Sequence, residues 1–205
     1  MRFFRPVFFT GVLYPEVIFR LRTTDKFLCL TFDDGPDPDS TPQLLEILDS
    51  HKVKALFFCD GAAAEKYPVL IDQMKSEGHI IGNHGYNHLS GFTTSLNRYV
   101  ADITKASRFT SSIFFRPQYG HLRFTQYKKL SKVYKIFYWD IMPYDFDKSF
   151  GSENSLRILK NKVRPGSIIV LHDNHDSFAN TIIDDFISFA ENAGFKFKLP
   201  YGSLP

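Results

Sequence analysis

Phe27-Leu28-Cys29-Leu30-Thr31-Phe32-Asp33-Asp34-Gly35-Pro36 is an apolar run closed by two adjacent carboxylates and two turn formers. Residues 27–32 read as a strand, and Asp, Gly and Pro end it. Working outward, the same unit recurs. Val53–Cys59, His79–Gly82, Ser112–Phe115, Lys135–Trp139, Ser167–Leu171 and Phe195–Leu199 read as further strands. Between them lie helical patterns. Ser40–Ser50 has Ser40 as its cap and Pro42 in its opening turn, and Ala62–Glu77 is broken or kinked at Pro68 and ended by Gly78. Ser95–Phe109, Thr125–Lys132, Ser152–Val163 and Asn180–Ala193 follow. Strands alternating with helices predict an α/β protein with a parallel sheet. In such folds function gathers at the carboxyl ends of the strands. Polar clusters that follow strands are therefore the candidate functional residues.

Five clusters pass that filter. Asp33 and Asp34 point in divergent directions at a strand end, so one can serve a metal and the other a base; a plain turn is the simpler account of that stretch alone. His84 and His88 are four apart, which on a helical turn sets both imidazoles on one face near a shared metal. Two histidines and a carboxylate leave open positions on a metal, as hydrolysis requires, whereas two solvated side chains are the plainer alternative. Arg116 precedes Pro117 at a strand end, placed either to clamp a carboxylate bidentately or to lie solvated in a loop. The stretch Trp139–Phe146 sets Asp140 and Asp145 beside aromatic rings, as a site or as packing around Pro143. His172 ends the run Ser167–Leu171, as a general acid or as a satisfied core histidine beside the helix-capping Asp173. Five such clusters at five successive strand ends point jointly to hydrolase chemistry.

Composition narrows the classes. The chain has 205 residues, 43% hydrophobic and 23% charged, enough for one folded domain. Two cysteines, Cys29 and Cys59, sit in apolar runs and read as buried thiols rather than a disulfide scaffold. The net charge of +3 resides in residues 1–26, where Arg2, Arg5, Arg20, Arg22 and Lys26 face Glu16 and Asp25. The neutral remainder excludes a nucleic-acid footprint. Residues 1–26 read as a solvated lead-in suited at most to a weak membrane-surface contact, and 27–205 as a single catalytic domain. The apolar stretch Pro6–Pro15 is too short to span a bilayer and lacks a cleavage site, which favours a cytoplasmic protein over one associated with the cell envelope. Of the 22 Phe, 10 Tyr and 1 Trp, most fall in strands and helices as packing. Tyr86, Tyr119, Tyr144 and Phe146, beside the clusters, remain as ligand-facing rings.

These motifs, in this order, resemble the polysaccharide deacetylase family, the nodulation-protein-B-like carbohydrate esterases of family 4. Thr31-Phe32-Asp33-Asp34-Gly35-Pro36 looks like the family's first motif, His84 to His88 its second, and Arg116-Pro117-Gln118-Tyr119-Gly120 its third. Asp145-Phe146 looks like the end of the fourth, and Leu171-His172-Asp173 like the fifth. The resemblance covers roughly Phe27 to Leu199. It implies a distorted (β/α) barrel of about seven parallel strands and one divalent metal, zinc or alternatively cobalt or nickel, on Asp34, His84 and His88. It implies Asp33 as general base oriented by Arg116, His172 as general acid tuned by Asp145, the Tyr119 N–H at the oxyanion, and Leu171 against the acetyl methyl. Two positions depart from the pattern. Gly85 stands where the family usually carries a Ser or Thr that braces the metal loop, so bracing comes from elsewhere or the metal is held less tightly. Phe146 stands where Trp is usual, keeping the apolar wall and losing the indole N–H.

The resulting expectation is a metal-dependent deacetylase acting on the N-acetyl, or O-acetyl, group of an amino sugar or polysaccharide. A deformylase or cyclic-amide hydrolase of the same fold, on a small or lipid-linked substrate, is the first alternative. A carbohydrate-binding pseudoenzyme is the second.

Overall fold

The computed structural model describes Arg5 and residues 13–200 of the chain. The seven strands among them are β1 (Phe27–Asp34), β2 (Leu56–Cys59), β3 (Ile80–Asn83), β4 (Phe114–Phe115), β5 (Lys135–Ile136), β6 (Ile168–His172) and β7 (Lys196–Phe197). All pair in parallel, in the order β5-β4-β3-β2-β1-β6, with β7 on the start of β1. The helices are α1 (Ser40–Ser50), α2 (Gly61–Lys66), α3 (Pro68–Ser76), α4 (Leu96–Thr110), α5 (Phe124–Leu130), α6 (Ser152–Lys162) and α7 (Ala179–Asn192). The sheet curls into the expected distorted (β/α) barrel.

Two points of local chemistry set the element ends. The Ala62–Glu77 pattern is two helices, because Tyr67 leaves helical geometry and Pro68 opens α3. Ser40 does not cap α1 but is its first residue; the Asp37 carboxylate accepts the Asp39 and Ser40 N–H groups, each at 2.9 Å.

Alternation along each strand divides the core. Cys29, Leu56, Phe58, Phe114 and Ile168 fill the barrel interior, while Leu28, Leu30, Phe32, Phe57, Ile169 and Leu171 pack outward against helices. Both thiols are free and buried.

The lead-in is corrected in part. Val17, Ile18 and Leu21 are buried rather than solvated. Ile18 bridges Phe137 and Arg20 bridges Ser167, so this segment fills the seam between β5 and β6, and Ile141 bridges Ile169 beyond it. The hydrophobic run simply continues into the interior cluster. Residues 1–4 and 6–12, part of the basic stretch 1–26 on which the reading of a membrane-surface contact rests, lie outside the described residues. No described helix is long and apolar enough to cross a membrane.

Candidate active site

The carboxyl ends of β1, β3, β4 and β6 meet at one mouth of the barrel. A cavity of about 410 Å³ opens there, with Asp33, Asp34, His84, His88 and His172 among its walls. Asp33, one residue before the end of β1, lies on the interior face, where the buried Arg116 reaches it at 2.6 Å. The same guanidinium donates to Thr31 Oγ1 at 2.7 Å and to the Tyr138 carbonyl at 2.8 Å, and lies 4.2 Å over the Phe58 ring. A guanidinium fixed at three points holds one carboxylate oxygen in place, and Asp33 Oδ2 turns toward His84 Nε2 at 4.0 Å.

Asp34, next in sequence, has φ of 78°. That left-handed backbone swings its carboxylate to the two histidines. Oδ1 lies 3.1 Å from His88 Nε2 and 3.7 Å from His84 Nε2, and Oδ2 accepts from Asn174 at 2.8 Å. One donor atom from each of Asp34, His84 and His88 lies within 4.8 Å of the others. His84 Nδ1 bonds to the Arg116 carbonyl at 2.8 Å, which assigns its proton to that side and leaves Nε2 a lone pair toward Asp34. Burial pushes His84 down to about 4, against the opposing pull of Asp33 and Asp34, so the ring is neutral near pH 7. Burial works against ionisation of Asp34, but the His88 hydrogen bond and the charges of His172, His84 and His88 hold its carboxyl well below the usual range. A carboxylate and two imidazole nitrogens in this arrangement fit a divalent metal of the zinc type. The histidine spacing works differently from a helical turn: residues 84–88 form a loop, bent by positive φ at Gly85 and His88.

Across the mouth, His172 Nδ1 meets Asp145 Oδ1 at 3.1 Å. Asp145 is fully buried and its Oδ2 accepts from the His172 N–H and from Ser177, both at 2.7 Å. Burial alone would lower His172, but the charge and hydrogen bond of Asp145, with Asp34 and Asp33 behind them, raise it to about 9. The other carboxylate of that stretch, Asp140, lies away from the site, bound to Arg164, Ser167 and Arg5.

The aromatic candidates separate. Tyr119, 60% exposed and at φ 57°, stands on the rim with its ring 4.6 Å from that of His88. Phe146 lines the cavity and meets His172 edge-on at 4.8 Å. Tyr144 packs behind Phe146 at 5.9 Å and is not a wall residue. Tyr86 is not at the cavity: its hydroxyl donates to Glu65 and Lys105 lies 3.3 Å over its ring. Leu171 does not reach the cavity either. It is fully buried on the outward face of β6, and strand alternation gives its place on the wall to Val170, which shares the interior face with His172. Alternation counted back from His172 would have found Val170. Trp139, Met142 and His121 complete the wall and carried no signal beyond proximity to the clusters. Of the six described non-glycine residues at positive φ, Asp34, His88, Tyr119 and Tyr144 surround this site, where backbone strain is expected to collect.

The chain is similar to known proteins in sequence and fold. The family described as polysaccharide deacetylase matches residues 20–135. A peptidoglycan-N-acetylglucosamine deacetylase of Bacillus cereus is 31% identical over 174 residues, 81% of each chain. A chitooligosaccharide deacetylase of Sinorhizobium fredii is 35% identical over 182 residues, 82% of each chain. The crystal structure of a peptidoglycan N-acetylglucosamine deacetylase superposes with a TM-score of 0.87 at 30% identity over 95% of each chain. With its barrel and its matched sequence, the chain belongs to the polysaccharide deacetylase family.

Proposed function

We propose that the chain hydrolyses the N-acetyl group of an amino sugar within a polysaccharide, releasing acetate and a free amine. The observation that carries this is the facing pair at one cavity: Asp33 fixed by Arg116 on one side, and His172 held by Asp145 on the other. Asp34, His84 and His88 would hold one divalent metal, zinc or alternatively cobalt or nickel, which when bound polarises the acyl oxygen and acidifies a water. Asp33 takes the proton of the attacking water through Oδ2, the oxygen that Arg116 leaves facing the cavity. The Tyr119 N–H donates to the oxyanion as it develops. His172, protonated by its pairing with Asp145, gives its proton to the leaving nitrogen. Phe146 and Val170 form the apolar wall for the methyl group.

A polymer suits the surface better than a small molecule. Beside the cavity runs a groove of about 500 Å³, lined by Ser90, Thr93, Thr94 and Arg98 and sharing His88, Tyr119 and His121 with it. A substrate longer than one sugar would occupy both.

The test is acetate release from chitooligosaccharides, peptidoglycan fragments and acetylxylan, by wild type and Asp33→Asn. Removing the base is expected to cost about 10²–10⁴-fold on whichever substrate turns over. Equal turnover by the variant would end this mechanism, and a wild type that binds these glycans but releases no acetate would make the protein a carbohydrate-binding pseudoenzyme.

A further inference from the structure

Between the two histidines stands Gly85, at φ 79°. A Cβ built there would land on the amide nitrogen of Gln118, with Gln118 Cδ at 2.9 Å and Asp102 Oδ2 at 3.1 Å. The space that any side chain at 85 would need is thus already filled, by a fully buried glutamine 33 positions along the chain. Its filling is specific. The Gln118 amide N–H donates to the backbone carbonyl of His84, and its Oε1 accepts from the Tyr99 hydroxyl at 3.1 Å. Tyr99 is itself fully buried on α4.

One turn further along the same face of α4, the buried Asp102 takes up the next stretch of the loop. It accepts the Tyr86 N–H at 2.7 Å and the Asn87 N–H at 3.2 Å, and the Asn87 side-chain amide at 2.6 Å. The loop's backbone is pinned on its other side as well, by the Gly85 N–H to Asn83 Oδ1 at 2.8 Å and the Gly61 N–H to the Gly85 carbonyl at 2.7 Å. His84 is consequently gripped through its N–H, by Cys59 at 3.0 Å, through its carbonyl, by Gln118, and through its ring, by Arg116 at 2.8 Å.

We infer that Gln118, anchored by Tyr99 and seconded by Asp102, is the positioning residue that sets metal affinity at the Asp34, His84 and His88 site. The inference rests on the reading of those three as metal ligands. The mechanism is preorganisation. Without the amide, the His84 carbonyl is buried and unpaired, and the loop loses one of the grips that make His84 Nε2 and His88 Nε2 converge on Asp34. Groups that orient a ligand are typically worth about tenfold to a hundredfold in metal affinity. Gln118 touches neither substrate nor metal in this arrangement, so its effect is carried wholly through the loop.

The test is zinc affinity by competition with a chromophoric chelator, together with the visible spectrum of the cobalt-loaded protein and the melting temperature of the metal-free protein. Two variants are compared with wild type: Gln118→Met, which keeps the volume and removes the amide, and Tyr99→Phe, which removes one hydroxyl. Gln118→Met is expected to weaken zinc by about tenfold or more and to alter the cobalt spectrum, with a smaller loss in Tyr99→Phe. Wild-type affinity and an unchanged cobalt spectrum in folded variants would overturn the inference, including the case where their metal-free melting temperatures fall. If Gln118→Met does not fold, Tyr99→Phe decides alone. A wild type that binds no zinc or cobalt would instead overturn the reading of the metal site itself, so the two failures are distinct.

Discussion

His172 stays protonated near neutral pH because Asp145 reverses what burial would do to it. The pairing at 3.1 Å, with the charges of Asp34 and Asp33 behind it, raises the imidazolium to about 9. A raised value in the folded state adds stability that is complete below the ordinary histidine range and is lost as pH rises through about 9. In the mechanism proposed above the same titration governs the reaction, since the protonated ring is the form that gives its proton to the leaving nitrogen. Activity is therefore expected to fall on the alkaline side as pH approaches about 9. A cation on Asp34 offsets that carboxylate's share, so the limb of the loaded enzyme lies at or below this value. Asp145→Asn removes the largest upward influence. Its alkaline limb should move toward the ordinary histidine value near 6.5, so that the variant loses more activity at pH 8 than at pH 6. A pH–rate profile for kcat/KM on both proteins checks this, and parallel profiles differing by a constant factor would remove Asp145 from the tuning of His172.

Strand β6 shows how far a linear motif can be trusted. Leu171, His172 and Asp173 are contiguous, yet a strand sends successive side chains to opposite faces. His172 and Val170 enter the cavity, while Leu171 joins Phe32, Leu44 and Ile183 in the outer core. Leu171→Ala is therefore expected to cost about 2–5 kcal/mol of stability by denaturant titration, while leaving KM unchanged. Val170→Phe should do the reverse, crowding the cavity and lowering kcat/KM with a smaller change in stability. If Leu171→Ala instead raises KM at full stability, the division of β6 between wall and core is wrong. The strand-to-turn junctions at Asp33, His84, Arg116 and His172 were legible in the sequence, because a strand's apolar pattern stops abruptly and the next polar group must face the barrel mouth. Gln118 was legible as part of a motif but its task was not, since filling the space over Gly85 is a relation between residues 33 apart that no local pattern records. Tyr86 was assigned by proximity to the histidines, and the left-handed Gly85 between them turns it toward α2 and α4 instead.

The barrel as a whole depends on a stretch that composition alone made peripheral. Strands β5 and β6 are the two ends of the sheet, and an open seam between them would expose Phe137 and Ile168 from the interior. Residues 18–21 fill that seam. The Ile18 N–H donates to the Ile136 carbonyl at 2.9 Å, the Tyr138 N–H to the Ile18 carbonyl at 2.9 Å, and the Leu21 N–H to the Gly166 carbonyl at 2.8 Å. The charges around it, Glu16, Arg20 and Arg22, face outward enough to make the segment read as solvated, but Ile18 and Leu21 are 8% and 1% exposed. The seam also bears on the site, because Tyr138 donates its N–H to Ile18 and its carbonyl accepts from Arg116, the residue that orients Asp33. Ile18→Ala and Leu21→Ala are each expected to cost about 2–5 kcal/mol by urea titration, as truncations of buried aliphatic side chains do. A chain starting at Thr23 removes both side chains and the three backbone bonds together. It should unfold at markedly lower urea than either point variant, and where still folded it should lose activity beyond the unfolded fraction, as Tyr138 and Arg116 loosen. A truncated chain with the wild-type urea midpoint and wild-type acetate release would show that β5 and β6 hold the barrel without residues 18–21.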